Sequence, residues 1–281
     1  MRDFEFKNCF DPSIKCQKEL FPDINYDVLV DLSILLEDHG EVPSIAWVVE
    51  SPEIVNLSYM LRDPTNPLSA MEVIKRKMET GNHNFSRLYT YDKTFEGLPN
   101  TTVVPFVPAP TWIEPENIGV HEKTKLVSLI ASAKSMTPFQ RKRVMFSKHI
   151  SDNNLADCYG RGTKSPIDKK SDALIPYCFS YVTENGVSPY YFTEKILDCF
   201  LTGTIPLYAG DPKIGEVFDE RGIIKTTDGD ELFVIENLSF ELYEKMLPYV
   251  ESNYKIAKAI KNRPQDIFQQ IYDHERTLLN A

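Results

Sequence analysis

Two kinds of apolar run follow each other along this chain. Short, continuous apolar runs are typical of strands buried in a parallel sheet, and runs with a three-to-four residue spacing are typical of helices. Strands are predicted within 28–36, 44–49, 87–92, 102–107, 125–131, 155–162, 177–182, 204–208 and 223–224. The first of these runs predicts a strand that continues into a helix or loop. Helices are predicted within 54–62, 68–80, 132–146 and 193–201 and over most of 232–281. This alternation predicts an α/β protein.

The segment 177–212 predicts a strand, a loop, a helix and a second strand in close succession. Glu184 and Asn185 follow the first strand, and Thr193 is a typical helix N-cap. Glu194 and Lys195 then fall in the first helical turn, beside free backbone N–H groups and the positive end of the helix dipole. Such a site suits a diphosphate against Lys195 and ribose hydroxyls against Glu194. The alternative is an ordinary first-turn acid beside a solvated lysine.

A second candidate site follows the strand predicted at 44–49. Glu50 comes directly after this strand and is followed by a Ser-Pro turn. Ligands of open α/β sheets bind at the carboxyl ends of the strands, so Glu50 is a candidate general base. Alternatively, Glu50 is a solvent-facing loop acid or a partner for the N-terminus of the helix near Ile54.

A basic cluster and a proline-rich segment complete the pattern. Arg141, Lys142 and Arg143 lie on the helix after the strand at 125–131, where they form either a second phosphate-binding site or a solvated face.

Prolines recur within 108–115, which predicts a linker between domains at 1–118 and 119–281. The helices at the end of the chain are assigned to the second domain.

Composition narrows the class of protein. The chain has 281 residues, 42% hydrophobic residues and a net charge of −10, which disfavours binding to nucleic acids or anionic membranes. The five cysteines are interpreted as reduced thiols, and the scattered histidines indicate no metal site. No apolar run reaches the roughly 18 residues of a membrane span, and MRDFEFKNCF has no signal-peptide core. The expected location is cytoplasmic.

The stretch ENGVSPYYFTEKILDCFLTGTIPLYAG resembles the C-terminal signature of the α1,3/4-fucosyltransferases, glycosyltransferase family ten. In that family a Glu-Asn pair precedes an aromatic residue and Thr-Glu-Lys, then a helix and a Gly-Thr-(Ile/Val)-Pro strand. The resemblance implies donor-binding roles for Glu184, Asn185, Tyr191, Glu194 and Lys195. It also implies a bacterial or viral type of member, because the membrane anchor of the Golgi members is not seen here.

Three further parts of the chain carry the resemblance. WVVESP is similar to the family's strand that ends in the catalytic base, which implies that role for Glu50, with Glu53 as second choice. Arg143, three residues before Phe146, matches an arginine that contacts the donor diphosphate. Tyr91 and Asp92 are implied on the acceptor side. Relatives often have Ser-Asn where this chain has Ala-Ser at 131–132.

The resemblance implies two Rossmann-like domains facing across a cleft, the GT-B arrangement, with the acceptor on the first and the nucleotide sugar on the second. The implied reaction is the inverting, α1,3-type transfer of L-fucose from GDP-fucose to a glycan hydroxyl, with no essential metal or cofactor. The alternatives are transfer of another sugar from another nucleotide, and a catalytically silent glycan- or nucleotide-binding protein.

Overall fold

The computed structural model describes residues 6–7, 27–30, 33–36, 44–104, 110–161, 163, 165–227, 229–261 and 263–279. The chain divides into two compact units. Unit 1 comprises Met1–Pro108 and Arg263–Ala281, and unit 2 comprises Ala109–Asn262. Each unit contains its own parallel sheet with helices, as the alternation of apolar runs predicts.

The sheet of unit 1 has the strand order β1-β2-β3-β4-β5, and all of its pairings are parallel. Its strands are Phe6–Lys7 (β1), Asp27–Val30 (β2), Ser44–Val48 (β3), Arg87–Thr90 (β4) and Thr101–Val103 (β5). Its helices are Ser33–Leu36 (α1), Pro52–Arg62 (α2) and Ala70–Thr80 (α3). Because Val48 pairs with Thr90, the residues that follow β3 and β4 meet at one edge of the sheet.

Local sequence signals explain where α2 and α3 begin and end. The Ser51 side chain accepts a hydrogen bond from the backbone N–H of Ile54 at the start of α2. Ser69 and Glu72 form a reciprocal capping box at the start of α3. Gly81 ends α3 with φ +70°, a left-handed conformation that favours glycine. These signals place α2 directly after the candidate base Glu50.

The sheet of unit 2 has the order β10-β9-β8-β6-β7, again with parallel pairings. Its strands are Lys125–Ile130 (β6), Asp157–Tyr159 (β7), Tyr177–Thr183 (β8), Ile205–Ala209 (β9) and Ile224–Lys225 (β10). Its helices are Pro138–Asp152 (α4), Glu194–Leu201 (α5), Glu231–Glu236 (α6) and Phe240–Ile260 (α7). The order reverses between β6 and β8, and ligands of open α/β sheets bind at such a switch point.

The core of unit 2 lies between its sheet and the helices that follow it. Every residue of β8 is buried, as expected for a central strand covered on both faces. Phe179 and Tyr181 of β8 pack with Ile235 of α6 and Val250 of α7. Three of the predicted reduced thiols are free and buried: Cys158, Cys178 and Cys199. Cys9 and Cys16 lie outside the described residues.

The last helix, Arg263–Leu279 (α8), belongs to unit 1, so its assignment to the second domain was wrong. The Glu275 carboxylate, 2% exposed, accepts a hydrogen bond of 2.7 Å from Tyr89 Oη and lies 3.3 Å from Arg87 Nε. Both partners are on β4. A buried carboxylate needs such partners, and they hold α8 against the sheet of unit 1.

The other element predictions agree with the structure within a few residues, except that α4 ends at Asp152, six residues beyond its predicted range, and except where a range lies outside the described residues. Pro108 and the end of the strand predicted at 102–107 are such cases. Within the predicted linker, Pro115–Asn117 forms one turn of 3₁₀-helix. In the described part of the chain, no helix is long and apolar enough to cross a membrane.

The contacts of Glu275 generate a stability prediction. Glu275→Ala leaves Arg87 and Tyr89 without their buried carboxylate, so we expect unit 1 to lose roughly 3 kcal/mol of unfolding free energy. The chain has two tryptophans, and Trp47 lies on β3 in unit 1. In a Trp112→Phe background, the fluorescence of Trp47 during urea denaturation reports on unit 1.

The matched control is Glu241→Ala, which removes an exposed carboxylate paired with Lys245 on α7. We expect it to change stability by less than about 0.5 kcal/mol. An unshifted Trp47 transition in Glu275→Ala would contradict the packing of α8 on β4.

Candidate active site

The end of β8 and the start of α5 are joined by one buried carboxylate. Glu184 is 1% exposed, and its Oε1 accepts a hydrogen bond of 3.0 Å from the backbone N–H of Thr193. Its Oε2 accepts one of 2.7 Å from Thr193 Oγ1. Thr193 is the N-cap of α5, as predicted, with its hydroxyl near the N–H of Lys195. Glu184 therefore fixes the place where α5 begins.

Lys195 extends from the first turn of α5 back over this carboxylate. Its Nζ lies 3.0 Å from Glu184 Oε2 and 2.8 Å from Thr193 Oγ1. The side chain is 24% exposed, so the ammonium group is partly accessible to solvent. The predicted combination of a lysine and a helix N-terminus is present, and Glu184 anchors the lysine.

Glu194 is held as a carboxylate by two lysines. Its Oε1 lies 3.3 Å from Lys170 Nζ and 4.0 Å from Lys195 Nζ. Burial opposes ionisation, but the positive charges of Lys195 and Lys170 outweigh it and lower the pKa of Glu194 to about 2. At neutral pH this side chain is a hydrogen-bond acceptor, which suits sugar hydroxyls.

Sequence reasoning missed a group of residues around Asp198. Asp198 Oδ2 lies 2.9 Å from Lys170 Nζ, and its Oδ1 accepts hydrogen bonds from Thr111 Oγ1 at 2.6 Å and Trp112 N at 3.1 Å. Burial raises the pKa of the Asp198 carboxyl, and Lys170 opposes that shift. One signal was visible in the sequence: Asp198 follows Glu194 by four residues, which places both acids on the same side of α5.

Arg143 lies on α4 and reaches the same edge of the sheet. It is 7% exposed, its Nη2 donates a hydrogen bond of 3.1 Å to Ser132 Oγ, and its Nε has no hydrogen-bond partner among the described residues. Burial lowers the pKa of its guanidinium, and the carboxylate of Glu184 opposes that shift. Arg143 is thus a buried cation near Glu184, and its Nε–H group can donate a hydrogen bond to a ligand.

The start of α4 and the end of β8 touch directly. Thr137, the N-cap of α4, donates from Oγ1 to the carbonyl of Asn185 at 3.3 Å. Further along the same helix, the ring of Phe146 packs against Tyr181, with ring centroids 4.8 Å apart. The predicted register of Arg143 and Phe146 therefore faces β8.

The two neighbouring basic residues on α4 have other partners. Arg141 donates to the carbonyl of Met136 at 2.7 Å, and Lys142 pairs with Glu231. Arg143 is the member of the basic cluster that reaches Ser132 and the surroundings of Glu184.

The loops around this edge approach each other too closely for extra side-chain atoms. A Cβ at Gly160, where φ is +103°, would collide with the carbonyl of Ala131, and one at Gly210 would collide with Tyr208 and Glu184. Gly162, two residues after Gly160, lies outside the described residues. Tyr191 is 1% exposed, so its ring supports the loop before α5 from within.

In unit 1 the structure brings Glu50 and Tyr91 together. Glu50 is partly buried after the end of β3, and its backbone carbonyl accepts a hydrogen bond of 2.8 Å from Tyr91 Oη. Asp92 caps a 3₁₀ turn by accepting a hydrogen bond of 2.8 Å from Thr94 N. Glu53 lies in the first turn of α2. Glu50 is therefore held at the carboxyl edge of the sheet, and Asp92 has a local structural role.

Among the residues that the structure describes, no three His, Cys, Asp or Glu side chains are grouped so that they could hold a metal ion. The positive charge at the edge of unit 2 comes from Arg143, Lys170 and Lys195. The negative charge at the same edge comes from the carboxylates of Glu184, Glu194 and Asp198. The arrangement can bind an anionic group next to hydroxyl groups.

Comparisons with known proteins were made for the whole chain. No protein-family model matches it. The α-(1,3)-fucosyltransferase FucT of Helicobacter pylori is 32% identical over 62 residues, which are 22% of this chain and 13% of that enzyme. The match therefore spans a small part of the length of that relative.

Crystal structures of α1,3-fucosyltransferase are similar over most of the chain. The structure titled as a complex with GDP-fucose has a TM-score of 0.50 and 14% identity, covering 86% of this chain and 78% of that chain. The structure titled as a complex with GDP has a TM-score of 0.49 and 15% identity, with the same coverage.

The structural likeness defines the class of fold. Two α/β units with parallel sheets, similar to a fucosyltransferase structure, have the GT-B fold of glycosyltransferases. The particular resemblance seen in the sequence, to the α1,3/4-fucosyltransferase family, is confirmed by the match to the Helicobacter pylori enzyme.

The role of Glu184 in the site generates a second prediction. Glu184→Gln replaces one of the two carboxylate oxygens with an amide donor that faces Lys195 and Thr193, so a buried network loses hydrogen bonds and a counter-charge. We expect a loss of roughly 2 kcal/mol in unfolding free energy, measured by urea denaturation with circular dichroism.

Glu251→Gln, on the exposed side of α7, is the matched control and should leave stability unchanged. Equal stability of Glu184→Gln and the control would mean that the contacts of Glu184 do not hold the start of α5.

Proposed function

We propose that the protein is an inverting glycosyltransferase that moves L-fucose from GDP-fucose to a glycan hydroxyl, with α1,3-type linkage. The observation that carries the proposal is the cluster at the start of α5, where Lys195 lies over Glu184 and beside Glu194, with Arg143 nearby. The names of the matched proteins, an α-(1,3)-fucosyltransferase and an α1,3-fucosyltransferase with GDP-fucose, support the choice of sugar and nucleotide.

In this proposal the edge of unit 2 binds the donor. Lys195 and the free Nε donor of Arg143 contact the diphosphate, and the N–H groups in the first turn of α5 add to the positive field. Glu194 accepts hydrogen bonds from ribose hydroxyls. Glu184 acts indirectly, because its oxygens are bound to Thr193 and Lys195. Asn185 and Tyr191 belong to the loop that closes this part of the site.

Glu50 is the proposed catalytic base. Its carboxylate takes the proton of the acceptor hydroxyl while that oxygen forms a bond to the anomeric carbon. The bond from that carbon to the diphosphate oxygen breaks, and GDP leaves with the electron pair, so the anomeric configuration inverts. Lys195 and Arg143 offset the charge that develops on the leaving diphosphate. We therefore propose that no metal is essential. Glu53 remains the second choice of base, and Tyr91 fixes the backbone of Glu50.

Transfer from another nucleotide sugar is the alternative that the site leaves most open. The contacts described above involve a diphosphate and ribose hydroxyls, and they do not select a base or a sugar. A silent binding protein is disfavoured, because Glu50 and Lys195 are both present. The acceptor glycan is not selected by these contacts either.

The donor assignment predicts the outcome of a nucleotide titration. We expect calorimetry to show binding of GDP in preference to UDP, ADP and CMP, with the same affinity in the presence of EDTA, because protein cations hold the diphosphate. Preference for UDP would replace the fucose donor by another nucleotide sugar. Loss of binding in EDTA would contradict the metal-independent mechanism.

The base assignment predicts the effect of Glu50→Gln. An amide cannot accept the acceptor proton, so we expect kcat to fall by about 10² to 10⁴-fold while GDP affinity stays within a factor of about two. Glu53→Gln, three residues away, is the matched comparison and should keep most of the activity. If Glu53→Gln shows the large loss and Glu50→Gln does not, the base is Glu53.

A further inference from the structure

Lys170 is a cation whose position the proposed chemistry has not yet explained. It begins the 3₁₀ turn Lys170–Ala173 just before β8, far along the chain from α5. Its Nζ lies 2.9 Å from Asp198 Oδ2 and 3.3 Å from Glu194 Oε1. The ammonium also lies 5.5 Å from the centre of the Trp112 ring. One lysine thus bridges two acids on the same side of α5.

The two acids need a cation between them. Glu194 and Asp198 are four residues apart on a helix, and like charges at that spacing repel. Asp198 is 1% exposed, and its Oδ1 is already bonded to Thr111 and Trp112, which leaves Oδ2 for Lys170. Without Lys170, the two carboxylates would repel each other, and moving either of them into solvent would cost free energy.

The position of Glu194 affects Lys195. Glu194 Oε1 lies closer to Lys170 Nζ, at 3.3 Å, than to Lys195 Nζ, at 4.0 Å. If Lys170 were absent, the nearest cation for Glu194 would be Lys195. A contact between them would reduce the share of the Lys195 ammonium that is available to an incoming anion.

We infer that Lys170 is a positioning residue of the donor site, which holds Glu194 ionised and away from Lys195 so that Lys195 can bind the diphosphate. The inference rests on the proposed function for the identity of the ligand. The contacts among Lys170, Glu194 and Asp198 do not depend on that proposal.

The charged groups that face Glu194 determine in which direction its pKa changes when Lys170 is removed. These are Lys195 and Asp198 on α5, Lys170 before β8, and Glu184 at the end of β8 through Lys195. Removing Lys170 leaves one favourable cation and two unfavourable acids, so the pKa of Glu194 rises. Glu194 stays ionised at pH 7 even after such a rise, and its charge is then drawn towards Lys195, so the loss of donor affinity should already appear at pH 7.

The first test compares Lys170→Met with Lys169→Met. Lys169 is the neighbouring residue, half-exposed and 3.8 Å from Glu114. Calorimetry with GDP at pH 7 should show binding at least about tenfold weaker for Lys170→Met, whereas Lys169→Met should match the wild type. Lys170→Arg, which keeps the charge, should recover most of the affinity. Wild-type affinity in Lys170→Met would overturn the inference.

A charge-restoring variant separates electrostatics from packing. Lys170→Met with Asp198→Asn removes one positive and one negative charge, so Glu194 no longer faces a second acid. We expect this double variant to bind GDP more tightly than Lys170→Met. If the double variant binds more weakly, Lys170 acts through packing and the inference fails. Lys170→Gln, which can donate hydrogen bonds to both acids, replaces Lys170→Met throughout if the latter does not fold.

A third measurement needs no nucleotide. Carbon-13 NMR of labelled glutamate side chains, with the Glu194 signal assigned from Glu194→Gln, gives the pKa of Glu194 directly. We expect it to rise by at least one unit in the Lys170 variant, and an unchanged value would overturn the inference. If the wild-type protein binds no GDP, the proposed function fails, and the NMR titration still decides the role of Lys170.

Discussion

The bonds of the Glu184 carboxylate determine the geometry of the rest of the candidate site. Glu184 directly follows β8, and its two oxygens accept hydrogen bonds from the N–H and the hydroxyl of Thr193 and from the ammonium of Lys195. A buried carboxylate without such partners would be very costly, so these bonds fix both the start of α5 and the direction of Lys195. The position of Glu184 also explains the glycine at 210, because a Cβ there would collide with the Glu184 side chain.

This anchoring creates a requirement for charge balance. Three carboxylates lie close together at the edge of unit 2, and the cations around them come from three different parts of the chain. Arg143 arrives on α4, Lys170 precedes β8, and Lys195 lies on α5. If a diphosphate binds here, as proposed, it meets cations that are already in place, which is the condition for electrostatic stabilisation without reorganisation.

The sequence predicted the parts of the site that are local. Thr193 as the N-cap, Lys195 in the first turn and the strands on either side follow from short-range signals such as capping and apolar periodicity. Lys170 and Trp112 were missed because their contacts with Asp198 join residues that are far apart in sequence. The packing of α8 on unit 1 was missed for the same reason, since it depends on Glu275 meeting Tyr89. Asp92, predicted on the acceptor side, serves as a local cap.

The two candidate centres differ in how much of their chemistry the sequence resemblance covers. At the edge of unit 2, each charged group has at least one partner within hydrogen-bonding distance, so the positions of several side chains depend on one another. At the edge of unit 1, the backbone of Glu50 accepts a hydrogen bond from Tyr91, and Glu50 is partly buried. The diphosphate proposed as the ligand of the edge of unit 2 is the same in every nucleotide-sugar donor, so one fixed set of side chains suits it. In the proposed function the acceptor side rests on one short stretch, WVVESP, and on Tyr91, whereas the donor side rests on a longer match, which is why the acceptor side is harder to read from the sequence.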